Sequence, residues 1–368
     1  MSSSSSSRLA ALTASFLPIA IDVSVTDYCN ADCDFCGFAK SRMRGKPRHF
    51  INADEFMQAL PILARRGVSF VDFQGGEPLL HPDIIRMISA VQKQGMKPNL
   101  ITNGWSLPTH ARALAKAGLH TLFISIDSHD MEKHEKNRGL RGVSERIKDG
   151  IAIMSTFGVP VMASVTVSRL VDFQKLPDTL GSFGFSGATF SYPRREAFDS
   201  SSLVFNEDSG LIDFTDDELV AVLDNILEMK KSFPVLNPTA SVQDIQRHIR
   251  GQQEHFPCVG GYKYFYMDWN LNVWRCEAWD KPMGSVFDFA ELPEDRTRCT
   301  NCMMSCYRDS SALMYAPLAA SRAIDLLAHA KPTDALKTLF NRNVMESATS
   351  SLQEAVLLYR LSKGSGHR

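Results

Sequence analysis

Strand-like and helix-like stretches alternate between Ile19 and Ser191, and this alternation limits the folds that the chain can adopt. Runs typical of strands cover Ile19–Thr26, Ser69–Phe73, Lys97–Thr102, Thr121–Ile126, Pro160–Val167 and Ala188–Ser191. Helical patterns fill the intervals at Ala53–Arg66, Pro82–Gly95, Thr109–Ala117, Val143–Phe157 and Phe173–Phe183. Strands separated by helices pair in parallel through crossover connections, so the pattern predicts an α/β fold. Periodicity does not distinguish an open sheet from a partial barrel.

The pattern changes after Ser191, which indicates further domains. Helices are predicted over Thr215–Phe233, Ala240–Gln253, Leu318–Ala330 and Ala348–Leu361, and short strands over Tyr262–Met267 and Asn272–Arg275. Residues 257–306 are rich in cysteine and aromatic residues. We expect a disordered tail (1–18), a parallel-sheet domain (19–195), a helical connector (196–255), a cysteine-rich domain (256–310) and C-terminal helices (311–368).

The composition is that of a globular protein without a dominant charge. The 368 residues include 40 Lys and Arg against 41 Asp and Glu, and 44% of them are hydrophobic. A balanced charge argues against a nucleic-acid partner, and the length suffices for a large core without disulfides. The apolar stretch from Leu9 to Val23 is too short and too polar to span a membrane. We expect a cytoplasmic protein with no nucleic-acid partner and no membrane span.

The eight cysteines fall into two groups. Cys29, Cys33 and Cys36 follow the first strand in a C-x3-C-x2-C pattern, whereas residues 37–257 contain no cysteine. The second group lies near the C-terminus and consists of Cys258, Cys276, Cys299, Cys302 and Cys306. Disulfides fit this arrangement poorly, because three clustered cysteines cannot all pair with one another and we expect no secretory signal.

Two metal-binding interpretations remain for these cysteines. Structural zinc takes four nitrogen or sulfur ligands, but the first group offers three thiols and no neighbouring histidine. Iron in iron–sulfur clusters is held by cysteine thiolates, and three ligands on a four-iron cluster leave one iron open for chemistry. The first group therefore favours an iron–sulfur cluster. For the second group, a zinc site closed by four thiolates stays an alternative.

The loop from Cys29 to Cys36, with Phe35 before its third cysteine, resembles the signature loop of the radical SAM superfamily. Further family-like motifs stand at the ends of later strands, over about 20–193. They are Gln74-Gly75-Gly76-Glu77-Pro78, Thr102-Asn103-Gly104, Ser125-Ile126-Asp127-Ser128 and the following Arg138-Gly139. From the residues alone, Gly75–Pro78 also fits an ordinary turn, Ser125 and Asp127 fit a helix cap, and Arg138 fits a solvated surface charge.

The resemblance implies a partial (β/α)6 TIM-like barrel that binds a [4Fe–4S] cluster and S-adenosylmethionine (SAM). Reductive cleavage of SAM then produces a 5′-deoxyadenosyl radical that takes a hydrogen atom from a substrate. An external electron donor of the flavodoxin or ferredoxin type is implied as a partner. The cluster ligands implied are Cys29, Cys33 and Cys36. The implied SAM site contains Phe35, Glu77 and Asn103, and the Gly75–Pro78 backbone at the methionine amino group. It also contains Ser125 and Asp127 at the ribose, Arg138 at the carboxylate, and Val165 and Val167 at the adenine.

The second group resembles the twitch or SPASM extension of the same superfamily. Cys258, Cys276, Cys299 and Cys302 follow the spacing of the type with one auxiliary [4Fe–4S] cluster. Cys306 is then a spare thiol or replaces one of these ligands. As a spare thiol it is either plainly buried or a donor of a hydrogen atom or proton to substrate.

The reaction type follows less directly from the sequence. A fully ligated auxiliary cluster can accept an electron from a substrate radical, which favours oxidation of a small molecule. Few residues precede the first strand, whereas peptide-modifying relatives often carry an N-terminal recognition domain. Arg194 and Arg195 follow the sixth strand, where they fit either a phosphate or carboxylate contact or a solvated turn. Redox-neutral rearrangement or C–C bond formation is an alternative, as is peptide modification of the maturase kind.

Overall fold

One mixed sheet organises the molecule. The computed structural model describes residues 17–194, 200–204 and 208–364, so that most of the predicted N-terminal tail and Arg195 lie outside the described residues. In these residues the strands are ordered β6-β5-β4-β3-β2-β1-β7-β8-β9. Their bounds are β1 Ile19–Ser24, β2 Val68–Gln74, β3 Lys97–Thr102, β4 Thr121–Ile126, β5 Val161–Thr166, β6 Gly187–Ser191, β7 Tyr264–Met267, β8 Asn272–Trp274 and β9 Pro282–Ser285.

Strands β1 to β6 run parallel and are joined by helices, which confirms the predicted α/β partial barrel. The side chains of β1, β3, β4 and β5 that pack against the helices are almost wholly apolar, as expected for parallel strands covered by helices. The helices of this part are α1 Ala53–Arg66, α2 Ile84–Lys93, α3 Leu107–Lys116, α4 Met131–Arg138, α5 Val143–Ser155 and α6 Leu176–Phe183.

Helix α4 is the element of the barrel that the sequence analysis missed. Its sequence, MEKHEKNR, lacks the apolar periodicity from which an amphipathic helix is identified. Its ends carry the signal instead. The Asp130 side chain accepts hydrogen bonds from the backbone N–H groups of Glu132 and Lys133, and Gly139 ends the helix with φ 60°. These caps place Arg138 at the last turn.

The cysteine-rich region extends the barrel sheet. Strand β7 pairs in parallel with β1, on the edge opposite β2, and β8 and β9 follow in antiparallel pairs. An uncovered β1 edge would leave its backbone groups unpaired, and β7 supplies their partners. The sheet thus crosses the domain boundaries that we predicted at 195 and 256, and it brings Tyr264 and Glu277 to the barrel interior.

The C-terminal part is helical, as predicted, with α7 Asp216–Met229, α8 Thr239–Ile249, α9 Ser305–Ala328, α10 Pro332–Leu339 and α11 Arg342–Gly364. Helix α9 begins at Ser305, well before the predicted Leu318, and runs through Pro317. Proline lacks an N–H and therefore frees the carbonyl of Leu313, which here accepts a hydrogen bond from the Ser351 hydroxyl at 3.1 Å. This contact from α11 explains why α9 continues. None of the helices described is long and apolar enough to cross a membrane.

Candidate functional site

A cavity of about 370 Å³ opens at the carboxyl ends of the parallel strands, where α/β barrels bind their ligands. The residues that we predicted for cluster and SAM binding largely converge on it. Those lining the cavity are Cys29, Cys33, Phe35, Cys36, Gly75, Gly76, Glu77, Asn103, Ser125 and Arg138. Pro78, Asp127 and Val167 do not line it.

The loop between Cys29 and Cys36 is held by an arginine that the sequence analysis did not identify. The guanidinium of Arg42 donates hydrogen bonds to the backbone carbonyls of Cys33 at 2.9 Å, Asp34 at 2.7 Å and Cys36 at 3.2 Å. The backbone N–H of Asp32 donates to the carbonyl of Arg138 at 2.8 Å, at the end of α4. These contacts fix the turn that directs the three thiols toward one cavity.

The chemistry of these thiols fits an iron–sulfur cluster. Burial raises the pKa of Cys33 to about 12, and burial together with the charge of Glu77 raises the pKa of Cys29 well above its ordinary value. A buried thiolate is therefore stable there only beside a compensating cation, and metal binding supplies it while releasing the thiol protons. Cys29, Cys33 and Cys36 would be the protein ligands of the cluster.

Gly75 and Gly76 follow β2 and lie against the backbone of the segment that leads into the cysteine loop. The Gly76 N–H donates to the Thr26 carbonyl, and the Glu77 N–H donates to the Tyr28 carbonyl, both at 2.8 Å. A Cβ on Gly76 would lie 2.3 Å from the Tyr28 carbonyl oxygen, and Gly75 has φ 118°. The glycines are thus required by the close approach of two backbone segments, in addition to the ligand approach that the sequence suggested.

Glu77 is buried, and its carboxylate is engaged by neighbouring protein groups. Its carboxylate accepts hydrogen bonds from the Thr102 hydroxyl at 2.6 Å, the Asn103 N–H at 2.7 Å and the Leu79 N–H at 3.1 Å. Burial raises the pKa of Glu77, and these hydrogen bonds oppose that rise. The carboxylate therefore ties the turn at Pro78 to the end of β3. The Asn103 amide donates to Asn30 Oδ1 at 2.8 Å, inside the cysteine loop.

Asp127 and Arg138 form a buried ion pair at the cavity wall. The Arg138 Nη2 donates to Asp127 Oδ1 at 2.6 Å, and Asn137 Nδ2 donates to Oδ2 at 2.9 Å. Burial alone would raise the pKa of Asp127, but the Arg138 charge and His134 hold it well below its ordinary value. Arg138 is 7% exposed, which excludes a solvated surface charge. Its Nε is a buried donor without a hydrogen-bond partner, and Arg138 is one of the residues that line the cavity, whereas Asp127 is engaged by protein groups.

Strand β5 presents its polar residues to the cavity. Ser164 and Thr166 line it, and Val165 and Val167 alternate with them. Val165 is fully buried, and Val167 borders a separate small cavity beside Phe190. Neighbouring residues of a strand point in opposite directions, so the two valine side chains lie on the face of the strand that is turned away from the cavity. We had predicted that they contact the adenine.

In the second cysteine group, Cys258, Cys276 and Cys302 differ from Cys306 in their electrostatic surroundings, although all four pack in one hydrophobic cluster. Burial raises the pKa of Cys258, Cys276 and Cys302, and the neighbouring thiols of this group raise each of them further. None of these three lines the main cavity, but Cys306 does. The pKa of Cys306 is raised by burial and then by the charges of Asp22, Glu277 and Asp309.

This arrangement agrees with Cys306 as the spare thiol, while the ligation of an auxiliary cluster by Cys258, Cys276, Cys299 and Cys302 stays a prediction.

A layer of carboxyl groups in the barrel was not identified from the sequence. Asp22, Asp72 and Glu277 line the cavity together with Tyr264 and Asn99. Burial raises the pKa of Asp72 to about 6 and that of Glu277 to about 7, and the pKa of Asp22 rises through burial and the charges of both. The available signal was an aspartate inside each of two apolar strand sequences, IAIDVS and VSFVDFQ.

The sequence matches to known proteins fall in the barrel part of the chain. Residues 23–179 match the family model of the Radical SAM superfamily. The probable GTP 3′,8-cyclase of Pyrobaculum aerophilum is 34% identical over 139 residues, which cover 35% of this chain and 44% of that protein. The AdoMet-dependent heme synthase of Methanosarcina barkeri is 31% identical over 146 residues, covering 39% and 41%. The matches thus span half or less of these relatives.

Solved structures show the same fold over a longer part of the chain. Streptococcus suis SuiB bound to S-adenosylmethionine aligns with a TM-score of 0.57 and 14% identity, covering 77% of this chain and 67% of SuiB. The structure of anSMEcpe with bound AdoMet aligns with a TM-score of 0.53 and 13% identity, covering 95% of this chain and 99% of anSMEcpe. At these identities the likeness concerns the fold.

Proposed function

We propose that this chain, whose residues 23–179 belong to the radical SAM superfamily, is an enzyme that cleaves SAM reductively and oxidises a small molecule. The observation that carries the proposal is the convergence of Cys29, Cys33 and Cys36 on one cavity with the Gly75–Gly76 segment. When bound, the cluster and SAM supply a 5′-deoxyadenosyl radical for abstraction of hydrogen from substrate. The names of the curated relatives, a GTP cyclase and a heme synthase, support a small-molecule substrate.

The residues of this chain position and isolate the reactants. Arg42 fixes the turn of the cysteine loop, and the hydrogen bond from the Glu77 N–H to the Tyr28 carbonyl holds the start of this loop at the end of β2. The unpartnered Arg138 Nε supports a contact with the SAM carboxylate, since a guanidinium donor matches carboxylate geometry. Phe35 and Tyr192 line the same cavity, where their aromatic rings would exclude water from the bound reactants.

The oxidative outcome rests on the second cysteine group. Cys258, Cys276, Cys299 and Cys302 would hold an auxiliary [4Fe–4S] cluster, which would supply an acceptor for the electron left on substrate after hydrogen abstraction, while the second hydrogen leaves the substrate as a proton to solvent. Strand β7 places this region directly beside β1, next to the barrel interior. We further propose a flavodoxin- or ferredoxin-type protein as electron donor to the first cluster.

Product analysis with SAM and dithionite under anaerobic conditions tests the oxidative outcome. Oxidation predicts a product lighter by two hydrogens and one 5′-deoxyadenosine per product. Cys258→Ala is expected to keep forming 5′-deoxyadenosine while losing product, because SAM cleavage and electron acceptance are assigned to different cysteine groups. Normal turnover in a Cys258→Ala protein that lacks the second cluster would contradict the acceptor role.

A redox-neutral reaction is the second candidate, favoured by the position of Cys306 in the main cavity. Its thiol would return a hydrogen atom to the substrate radical, and the resulting thiyl radical would need one electron from the external donor and one proton from solvent. This reaction predicts a product with the mass of the substrate. Cys306→Ser would then abolish product, whereas in the oxidative reaction it leaves the product mass and yield unchanged.

A further inference from the structure

The deep end of the main cavity is formed by a row of polar residues below the cysteine loop. Asp22 on β1 lies in register with Asp72 on β2, and Asp72 lies in register with Asn99 on β3. Asp22 and Asp72 stand two positions before the last residues of their strands, and Asn99 stands three positions before the last residue of β3. The row therefore lies about one side-chain layer below the rim. Glu277 closes the same space from the region after β8.

This row contains more hydrogen-bond acceptors than donors. The Tyr264 hydroxyl lies 3.0 Å from Asp22 Oδ1 and 3.4 Å from Asp72 Oδ2, so its single proton serves one carboxylate at a time. Asn99 Nδ2 donates to Asp72 Oδ1 at 2.6 Å, and Gln74 Nε2 donates to Glu277 Oε1. A carboxylate can accept several hydrogen bonds, and these donors leave accepting positions open.

Asn99 provides a second observation that is independent of the carboxyl groups. Its residue is 8% exposed, it lines the cavity, and its Oδ1 is a buried acceptor without a hydrogen-bond partner. Exchanging the oxygen and nitrogen of this amide would turn Oδ1 toward Asp72, where two acceptors would face each other. A buried unpaired acceptor is costly, so this atom points to a donor that a ligand brings.

The charge of the cavity favours a cation at this end. Among its lining residues that the structure describes, Arg138 has the one basic side chain, and it is paired with Asp127. The carboxylate of Asp309 also lines the cavity, but Ser241 and Asn237 donate to its two oxygens. The carboxyls of Asp22, Asp72 and Glu277 are thus left without a cationic partner in the cavity.

We infer that the deep end of the cavity binds the ammonium group of a small amine, between Asp22, Asp72 and Asn99 Oδ1. The row lacks hydrogen-bond donors and a cationic partner. An ammonium group supplies three donors and one positive charge, and it adds no acceptor. The inference rests on the proposed function, because it assigns this amine as the substrate whose carbon faces SAM.

Equilibrium binding tests the inference on the anaerobically purified protein with SAM present. The probes are a panel of small primary amines and the carboxylic acids and alcohols of matched size, measured by thermal shift and then by calorimetry. We expect the ligands to come from the amines. Asp72→Asn and, as a second variant, Asp22→Asn should weaken amine binding about tenfold or more, since a hydrogen bond to a charged group contributes about 1.5–3 kcal/mol. Asp149→Asn, at an exposed position of α5 outside the cavity, is the control and should change the affinity less than about twofold.

Binding of the acids, equal binding of amines and alcohols, or no amine bound would overturn the inference, as would undiminished amine affinity in folded Asp22→Asn and Asp72→Asn proteins. The proposed function is tested separately by 5′-deoxyadenosine formation in the same preparation. A preparation that cleaves SAM and binds no amine refutes the inference alone. A preparation that binds amines and cleaves no SAM refutes the proposed function and leaves the cavity chemistry standing.

Discussion

Gly76→Ala tests how closely the barrel rim and the cysteine loop are packed. A Cβ at this position would lie 2.3 Å from the Tyr28 carbonyl oxygen and 2.5 Å from its carbonyl carbon. Ordinary contact begins at 3.4 Å, so the Tyr28 backbone must retreat by about 1 Å. Both neighbours of this contact are backbone groups, which cannot rotate away as a flexible side chain can.

The cost of this displacement can be worked from its parts. Overpacking costs about 1–3 kcal/mol. Weakening the 2.8 Å hydrogen bond from the Glu77 N–H to the Tyr28 carbonyl adds about 1 kcal/mol. Together they predict a loss of about 2–4 kcal/mol in the free energy of unfolding. Tyr28 precedes Cys29, and a 1 Å misplacement at a reacting centre lowers rates about 100-fold.

The assay compares iron content, unfolding midpoint and 5′-deoxyadenosine formation in wild type, Gly76→Ala and the control Gly181→Ala. In the control, the added Cβ has no atom within 4 Å and the residue is helical, so stability should rise by about 0.5–1 kcal/mol with an unchanged rate. Wild-type iron content, midpoint and rate in Gly76→Ala would refute the packing argument.

Further predictions concern two buried carboxylates. Arg138→Gln should lower the free energy of unfolding by about 3–5 kcal/mol, because it leaves Asp127 buried without its cation. Arg169→Gln, which breaks an exposed pair with Glu218, should move the urea midpoint little; equal losses in the two variants would contradict this account. Burial raises the pKa of Asp309 from 3.8 to about 7, so its ionisation costs stability increasingly from pH 4 to pH 7 and by a constant amount above. Asp309→Asn should therefore raise Tm by roughly 2–4 °C or more at pH 8 and not at pH 4; an equal shift at both values would contradict the titration.

Local patterns were sufficient to predict the barrel elements. Lys97–Thr102, Thr121–Ile126 and Ala53–Arg66 have the predicted bounds, because their apolar periodicity, caps and turns agree with one another. The motif residues also converge as expected, since the carboxyl ends of parallel strands meet at one rim. These features depend on short-range sequence.

The sequence pattern did not predict which distant strands and helices contact one another. Nothing local in Tyr264–Met267 indicates a parallel partnership with β1, and the continuation of α9 through Pro317 depends on Ser351 from a distant helix. The carboxyl layer became visible only once β7 placed Tyr264 between Asp22 and Asp72. The side of β5 that faces the cavity likewise depends on register, which a one-residue offset reverses.

The most direct test of the central claim is SAM cleavage by the anaerobically purified chain with dithionite, compared with a variant carrying Cys29→Ala, Cys33→Ala and Cys36→Ala. The account predicts 5′-deoxyadenosine from the wild type, none from the variant, and iron still bound by the second cysteine group in the variant, about four irons per chain. Formation of 5′-deoxyadenosine at the wild-type rate by the folded variant would contradict the assignment of these cysteines and the reaction built on them.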